Sequence, residues 1–185
     1  MEQDKKFLSE YFDTYSEALK GKDIFEKIVA FKKMVESCSG KLIFAGNGAS
    51  ASISSHCALD YTKQGGVRSE CFSSDAFITA FVNDFGYDHW LAKAMEHHAD
   101  ADDIVILISS SGKSPNVVNA AKYCRSRGMR VVTLTGFADD NPLKQLGDLN
   151  LWIDSKSYNI IECTHMFWLM AACDLLIGKA EYPVS

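Results

Sequence analysis

The sequence predicts an α/β protein: a doubly wound parallel sheet flanked by helices, with an N-terminal helical extension. Three observations carry this reading. Short apolar runs alternate with helical stretches from Lys41 onward. The two clearest runs each lead through a Ser/Gly loop into a helix. The first 40 residues show helical periodicity alone.

Taken in order, Phe7, Leu8, Tyr11, Phe12, Tyr15 and Leu19 recur at helical spacing until Gly21. Ile24, Ile28, Phe31, Val35 and Cys38 form a second stripe before Ser39-Gly40. The first helix is too short to bury its aromatic face alone, so this hairpin is expected to settle on a partner subunit. Leu42–Ala45 is an apolar run of the kind found in buried parallel strands, and a helix follows over Ser50–Thr62. Ser69–Phe72 reads as a short strand, with helices over Asp75–Val82 and His89–His98. Asp103–Ile108 is the clearest strand, and Pro115–Arg127 a helix closed by Gly128. Arg130–Leu134 and Leu149–Ile153 are further strands, and Ile160–Ile177 is an apolar closing helix capped by Gly178. No Pro-rich or Ser-rich linker intervenes, so residues 1–185 read as one domain: a helical extension over 1–40 and an α/β core over 41–185.

A hydrophobic share of 47% and a charged share of 23% are ordinary for a soluble globular chain. The net charge of −5 argues against nucleic acid as a direct partner, since phosphate backbones call for clustered Lys and Arg. A small anion remains possible, because backbone N–H groups bind phosphate without a cationic side chain. Six scattered cysteines without a CxxC pair, and no apolar leader at the N-terminus, point to a reducing, cytoplasmic setting. Ile160–Ile177 is long enough to span a membrane, but Glu162, His165 and Asp174 within it favour a buried helix, so no membrane partner is expected.

In doubly wound sheets, ligands sit at the carboxyl ends of the strands. Two loops fall there: Gly46-Asn47-Gly48-Ala49-Ser50 and Ser109-Ser110-Ser111-Gly112-Lys113-Ser114. Glycines let the backbone approach an anion, the following helix offers free N–H groups, and serine hydroxyls add donors without bulk. Ser and Gly are common in any loop, but two such loops, each between a strong strand and a helix, point to a bound phosphate. Neither loop is a Walker A motif or a dinucleotide fingerprint.

GNGAS followed by His56, NDFG at Asn83–Gly86, ISSSGKSPN at Ile108–Asn116, LTG at Leu134–Gly136 and IECTH at Ile161–His165 together resemble the sugar isomerase (SIS) family, in particular its phosphoheptose isomerase branch. The resemblance implies a homotetramer with sites at subunit junctions, and aldose–ketose isomerisation of sedoheptulose 7-phosphate through an enediol, serving heptose precursors of surface polysaccharide. It implies substrate contacts from Asn47, Ser50, Asp84, Ser109, Ser110, Ser111 and Ser114. Ser110 stands where a threonine is usual, Lys113 where an asparagine is, and Ala49 replaces a loop glycine.

The resemblance also implies a base and a zinc ion near the helix after the first loop. His56 and Asp60 are four residues apart and share a helix face there, with Asp60 in place of the family's glutamate. On the closing helix, Glu162 stands in a glutamine position and Met170 where a catalytic histidine belongs. A thioether cannot transfer a proton. Three readings stay open. Either Asp60 is the base, with Glu162 and His165 replacing the missing acid and His56, Asp60, Glu162 and His165 forming a zinc set, or the chain is a non-catalytic member. Such a member would bind a sugar phosphate or a replication initiator. A SIS isomerase of another sugar phosphate is a third reading. His165 also reads as a satisfied polar group in an interface.

Overall fold

The structure, a computed structural model, describes residues 1–181. Five strands form one parallel sheet: β1 (Leu42–Gly46), β2 (Ser69–Cys71), β3 (Ile104–Ser109), β4 (Arg130–Thr135) and β5 (Leu149–Trp152). Their spatial order is β2-β1-β3-β4-β5, all neighbours parallel. The chain reverses direction of travel between β1 and β3, and that switch point opens a crevice at the strands' carboxyl ends.

Alternation along the strands sorts the core into two layers. Leu42, Phe44, Ile104, Ile106 and Ile108 face a layer containing α2 (Ile24–Glu36), α3 (Ala49–Lys63) and α7 (Tyr158–Ile177). Ile43, Ala45, Val105 and Leu107 face the other, with α5 (Trp90–His98) and α6 (Pro115–Ser126) behind them. Between β2 and α5, helix α4 (Asp75–Phe85) carries no buried residue and lays an aromatic ladder, Phe77, Phe81 and Phe85, along α5.

Most predicted elements are found, with shifted ends. β3 begins at Ile104, not Asp103, because the Asp103 carboxylate is committed elsewhere. It is buried and accepts from the backbone N–H groups of Lys41 and Asp100, each at 2.8 Å, and from Lys41 Nζ at 2.8 Å. α4 runs three residues beyond Val82, so Asn83 and Asp84 lie on its last turn. α7 begins two residues before Ile160, at Tyr158. A 3₁₀ turn at Lys144–Leu146 was not legible, being nucleated by the buried Asn141 side chain, whose Oδ1 accepts from the Lys144 N–H at 2.9 Å.

α7 is long and apolar enough to cross a membrane, the sole such helix among the described residues. Instead it is clasped by α1 (Glu2–Leu19), α2, α3 and β4, with Trp168 and Leu169 fully enclosed. α1 itself buries nothing completely: Tyr11, Tyr15 and Ala18 rest on this layer while Phe7 and Phe12 stay about two-thirds exposed, at 64% and 65%. Its firmest tether is the Trp168 indole N–H, which donates to the Leu19 carbonyl at 3.0 Å. Trp168→Ala should therefore destabilise the fold by about 3–5 kcal/mol in urea unfolding, the usual scale for a buried aromatic, with α1 amides losing hydrogen-exchange protection first.

Candidate active site

The crevice between β1 and β3 holds a cavity of about 250 Å³. The first loop reaches it through Asn47, Gly48, Ala49 and Ser50, the second through Ser109, Ser110, Ser111 and Ser114, and α7 closes it with Tyr158 and Glu162. Both loops depend on glycine for close approach. A Cβ at Gly46 would stand 2.7 Å from the Ile108 carbonyl oxygen and 2.5 Å from Ser50 Cβ, so a side chain there would push β1 from β3. Gly112 sits at φ 63 and a Cβ on it would collide with the Asn141 amide. Ala49 does fit, because the positive φ of the first loop falls on Gly48, at 56.

Within the second loop, the Ser109 and Ser114 hydroxyls lie 3.2 Å apart and the Lys113 N–H donates to Ser111 Oγ at 3.2 Å. The two loops are joined by a reciprocal amide pair. Asn47 Nδ2 donates to Asn116 Oδ1 at 2.9 Å and Asn116 Nδ2 donates to Asn47 Oδ1 at 2.8 Å. Asn47 thus joins the loops through its amide while lining the cavity, as expected of a substrate contact. The helix N-termini of α3, α6 and α7 all open on this cavity, and the positive ends of their dipoles favour an anion.

Glu162 is the one carboxylate among the described lining residues, and it accepts from Ser110 Oγ at 3.4 Å. A carboxylate there repels a phosphate, which confines the anion to the serines and leaves Glu162 to receive sugar hydroxyls.

The remaining expected residues are placed elsewhere. His56 Nε2 and Asp60 Oδ2 pair at 3.3 Å, but on a different face of α3 from Ser50. Helical geometry puts them roughly 80–120° around the axis, and about 9 and 15 Å along it. Asp84 lies exposed at the end of α4, where its Oδ1 accepts from Asn83 Nδ2 at 2.9 Å, and it does not line its own chain's cavity.

His165 is a correction. It is fully buried, one ring nitrogen, Nε2, lies 3.2 Å from the Thr135 carbonyl, and Nδ1 has no partner. Nε2 therefore carries the proton and donates it to that carbonyl. Burial pushes its pKa down to about 4, against a smaller upward pull from that hydrogen bond. A neutral imidazole inside the core, beside Trp168, reaches neither the cavity nor a metal. The expected zinc ligands do not converge within one chain: among its described residues, no three His, Cys, Asp or Glu side chains meet at a metal position. His56 and Asp60 alone supply two donors where four ligands are usual.

The family model for the SIS domain matches residues 11–136. The chain belongs to the SIS domain family. Phosphoheptose isomerases are among the relatives of this SIS protein. One from Helicobacter pylori is 32% identical over 143 residues, 74% of each chain. Another, from Geobacter sulfurreducens, is 31% identical over 171 residues, covering 88% of this chain and 89% of that one. The solved phosphoheptose isomerase of Neisseria gonorrhoeae superposes with a TM-score of 0.84 at 29% identity, over 95% of this chain and 98% of that one.

Tyr158 escaped the sequence reading, although its i,i+4 spacing to Glu162 signals a shared helix face. The burial of His165 has a measurable consequence. The unfolded histidine binds a proton below about 6.5 and the folded one only below about 4, so its contribution is complete above pH 6.5 and is lost as pH falls through that window. Urea unfolding from pH 7 to pH 4 should show a loss of roughly 3 kcal/mol from this group. His165→Asn keeps a donor for the Thr135 carbonyl and should flatten that slope.

Proposed function

We propose that this chain is an aldose–ketose isomerase that converts sedoheptulose 7-phosphate to an aldoheptose 7-phosphate through an enediol. The observation that carries it is the pair of serine loops at the β1/β3 crevice, in a chain whose relatives are named phosphoheptose isomerases along most of their length. The phosphate rests on Ser50, Ser109, Ser111 and Ser114, with the backbone N–H groups of α3 and α6 supplying the charge complement. Ser110 and Glu162 meet the sugar hydroxyls.

The proton-transfer base is Asp60, delivered to this cavity by a second copy of the chain. Its direction on α3 supports that, since it shares neither face nor level with its own phosphate loop. His56, hydrogen-bonded to it, orients the carboxylate. Asp84 enters the neighbouring cavity in the same way. One chain alone does not assemble the zinc ligands; His56 and Asp60 of the second copy, beside Glu162, would supply three donors for such an ion, and the proton transfers are assigned to side chains. Assembly as a homotetramer is supported by the apolar surface left open on α1 and α7: Phe7, Phe12, Phe167 and Leu175 are all more than 40% exposed. Six free cysteines suit a reducing cytoplasm.

Subunit mixing tests both the chemistry and the sharing. Wild type should turn over sedoheptulose 7-phosphate. Asp60→Asn should abolish turnover with substrate affinity nearly intact, and the double variant Ser111→Ala with Ser114→Ala should weaken sugar-phosphate binding by roughly 1–3 kcal/mol. Mixing the two variants under conditions of subunit exchange should restore a fraction of wild-type turnover, because some cavities regain both intact halves. No recovery would place base and phosphate site in one chain.

A further inference from the structure

We propose that Tyr158 is the catalytic acid of this site, the group that protonates the substrate's carbonyl oxygen as the enediol forms. The inference rests on the isomerase reading above and extends it to a residue outside the family motifs read from the sequence.

Isomerisation needs two proton-transfer partners: a base at carbon and an acid at oxygen. Met170 cannot serve as the acid, and His165 is enclosed and donates to the Thr135 carbonyl. Among the described residues lining the cavity, only Glu162 and Tyr158 have titratable side chains. Glu162 is held against the serine loop, where its Oε1 accepts from Ser110 Oγ. His56, brought by the second copy, is engaged with Asp60 at 3.3 Å, which leaves the Tyr158 hydroxyl as the donor within the cavity.

Its placement suits the role. Tyr158 and Glu162 are one helical turn apart on the same face of α7, so Tyr158 lies about 6 Å from Glu162 along the axis, toward the N-terminus of the helix. Both line the cavity, Glu162 held against Ser110 and Tyr158 one turn away from it. The ring is aimed by Phe137, whose centroid lies 5.0 Å away at an interplanar angle of 56°. Phe137 holds that position from a left-handed backbone, φ 53, with its N–H donating to the Ser155 carbonyl at 2.9 Å. Tyr158 is also the first residue of α7, where unpaired helix N–H groups stabilise negative charge developing on the phenol or the substrate oxygen.

The protons balance. The base takes the proton from C1 of the ketose, the C1–H electron pair forms the C1=C2 bond, and the C2=O pair takes the proton of the Tyr158 hydroxyl. In the second half, the Tyr158 phenolate removes the proton from the C1 hydroxyl, the C1=O bond forms, and C2 takes the proton held by the base. Both side chains return to their starting states, and no oxidant or reductant is consumed.

Tyr158→Phe tests this in the full-length assembled protein, since it keeps the ring and its contact with Phe137 and removes one hydroxyl. With sedoheptulose 7-phosphate, kcat should fall about 100-fold, while the dissociation constant from calorimetry stays within twofold of wild type and the melting temperature is unchanged. Wild-type kcat in the variant would overturn the assignment and leave the isomerase reading standing. Weakened binding with kcat preserved would overturn it too, making Tyr158 a binding residue. Absence of turnover in the wild type would sink the isomerase reading and this inference with it.

Discussion

The in-register parallel pairing of β1 with β3 is the constraint on which the rest of the site depends. Gly46 lies opposite Ile108, so both strands end at the same level and both loops leave the sheet side by side. Neither loop alone could enclose an anion. Side by side they present two runs of small residues and the N-termini of two helices, and the Asn47–Asn116 amide pair fixes their spacing across 69 residues of sequence. Gly46 permits this closeness, because any side chain there meets the Ile108 carbonyl and Ser50.

Charge then orders what enters. Helix N-termini favour a phosphate at the serines, while Glu162 beside Ser110 disfavours one further out. An extended sugar phosphate is thereby given a direction before any proton moves. The opposite wall is missing from the single chain: the His56–Asp60 pair and Asp84 point away from the cavity, and the apolar faces of α1 and α7 remain uncovered.

What was legible in the sequence were features governed by local periodicity. Asp103–Ile108 and Leu42–Ala45 could only be buried strands, and the loops after them announced their chemistry by composition. What was illegible depended on tertiary direction. The spacing of His56 and Asp60 shows that they share a face of α3 but not which way that face looks. Glu162 and His165, three apart on α7, diverge: one opens on the cavity and the other hydrogen-bonds to the Thr135 carbonyl inside the core. The Asn47–Asn116 pair was illegible because Asn116 lies in a distant helix. Tyr158 was missed because the predicted helix began at Ile160, leaving its first turn, the part that faces the cavity, outside the pattern.

The central claim, that the two loops form one anion site, is tested most directly by backbone amide NMR during titration with inorganic phosphate. The amides of Gly48–Ser50 and of Ser111–Ser114 should shift together along a single saturating curve, with the Asn47 and Asn116 side-chain amides following them. Shifts confined to one loop, or appearing only at surface lysines, would contradict the account.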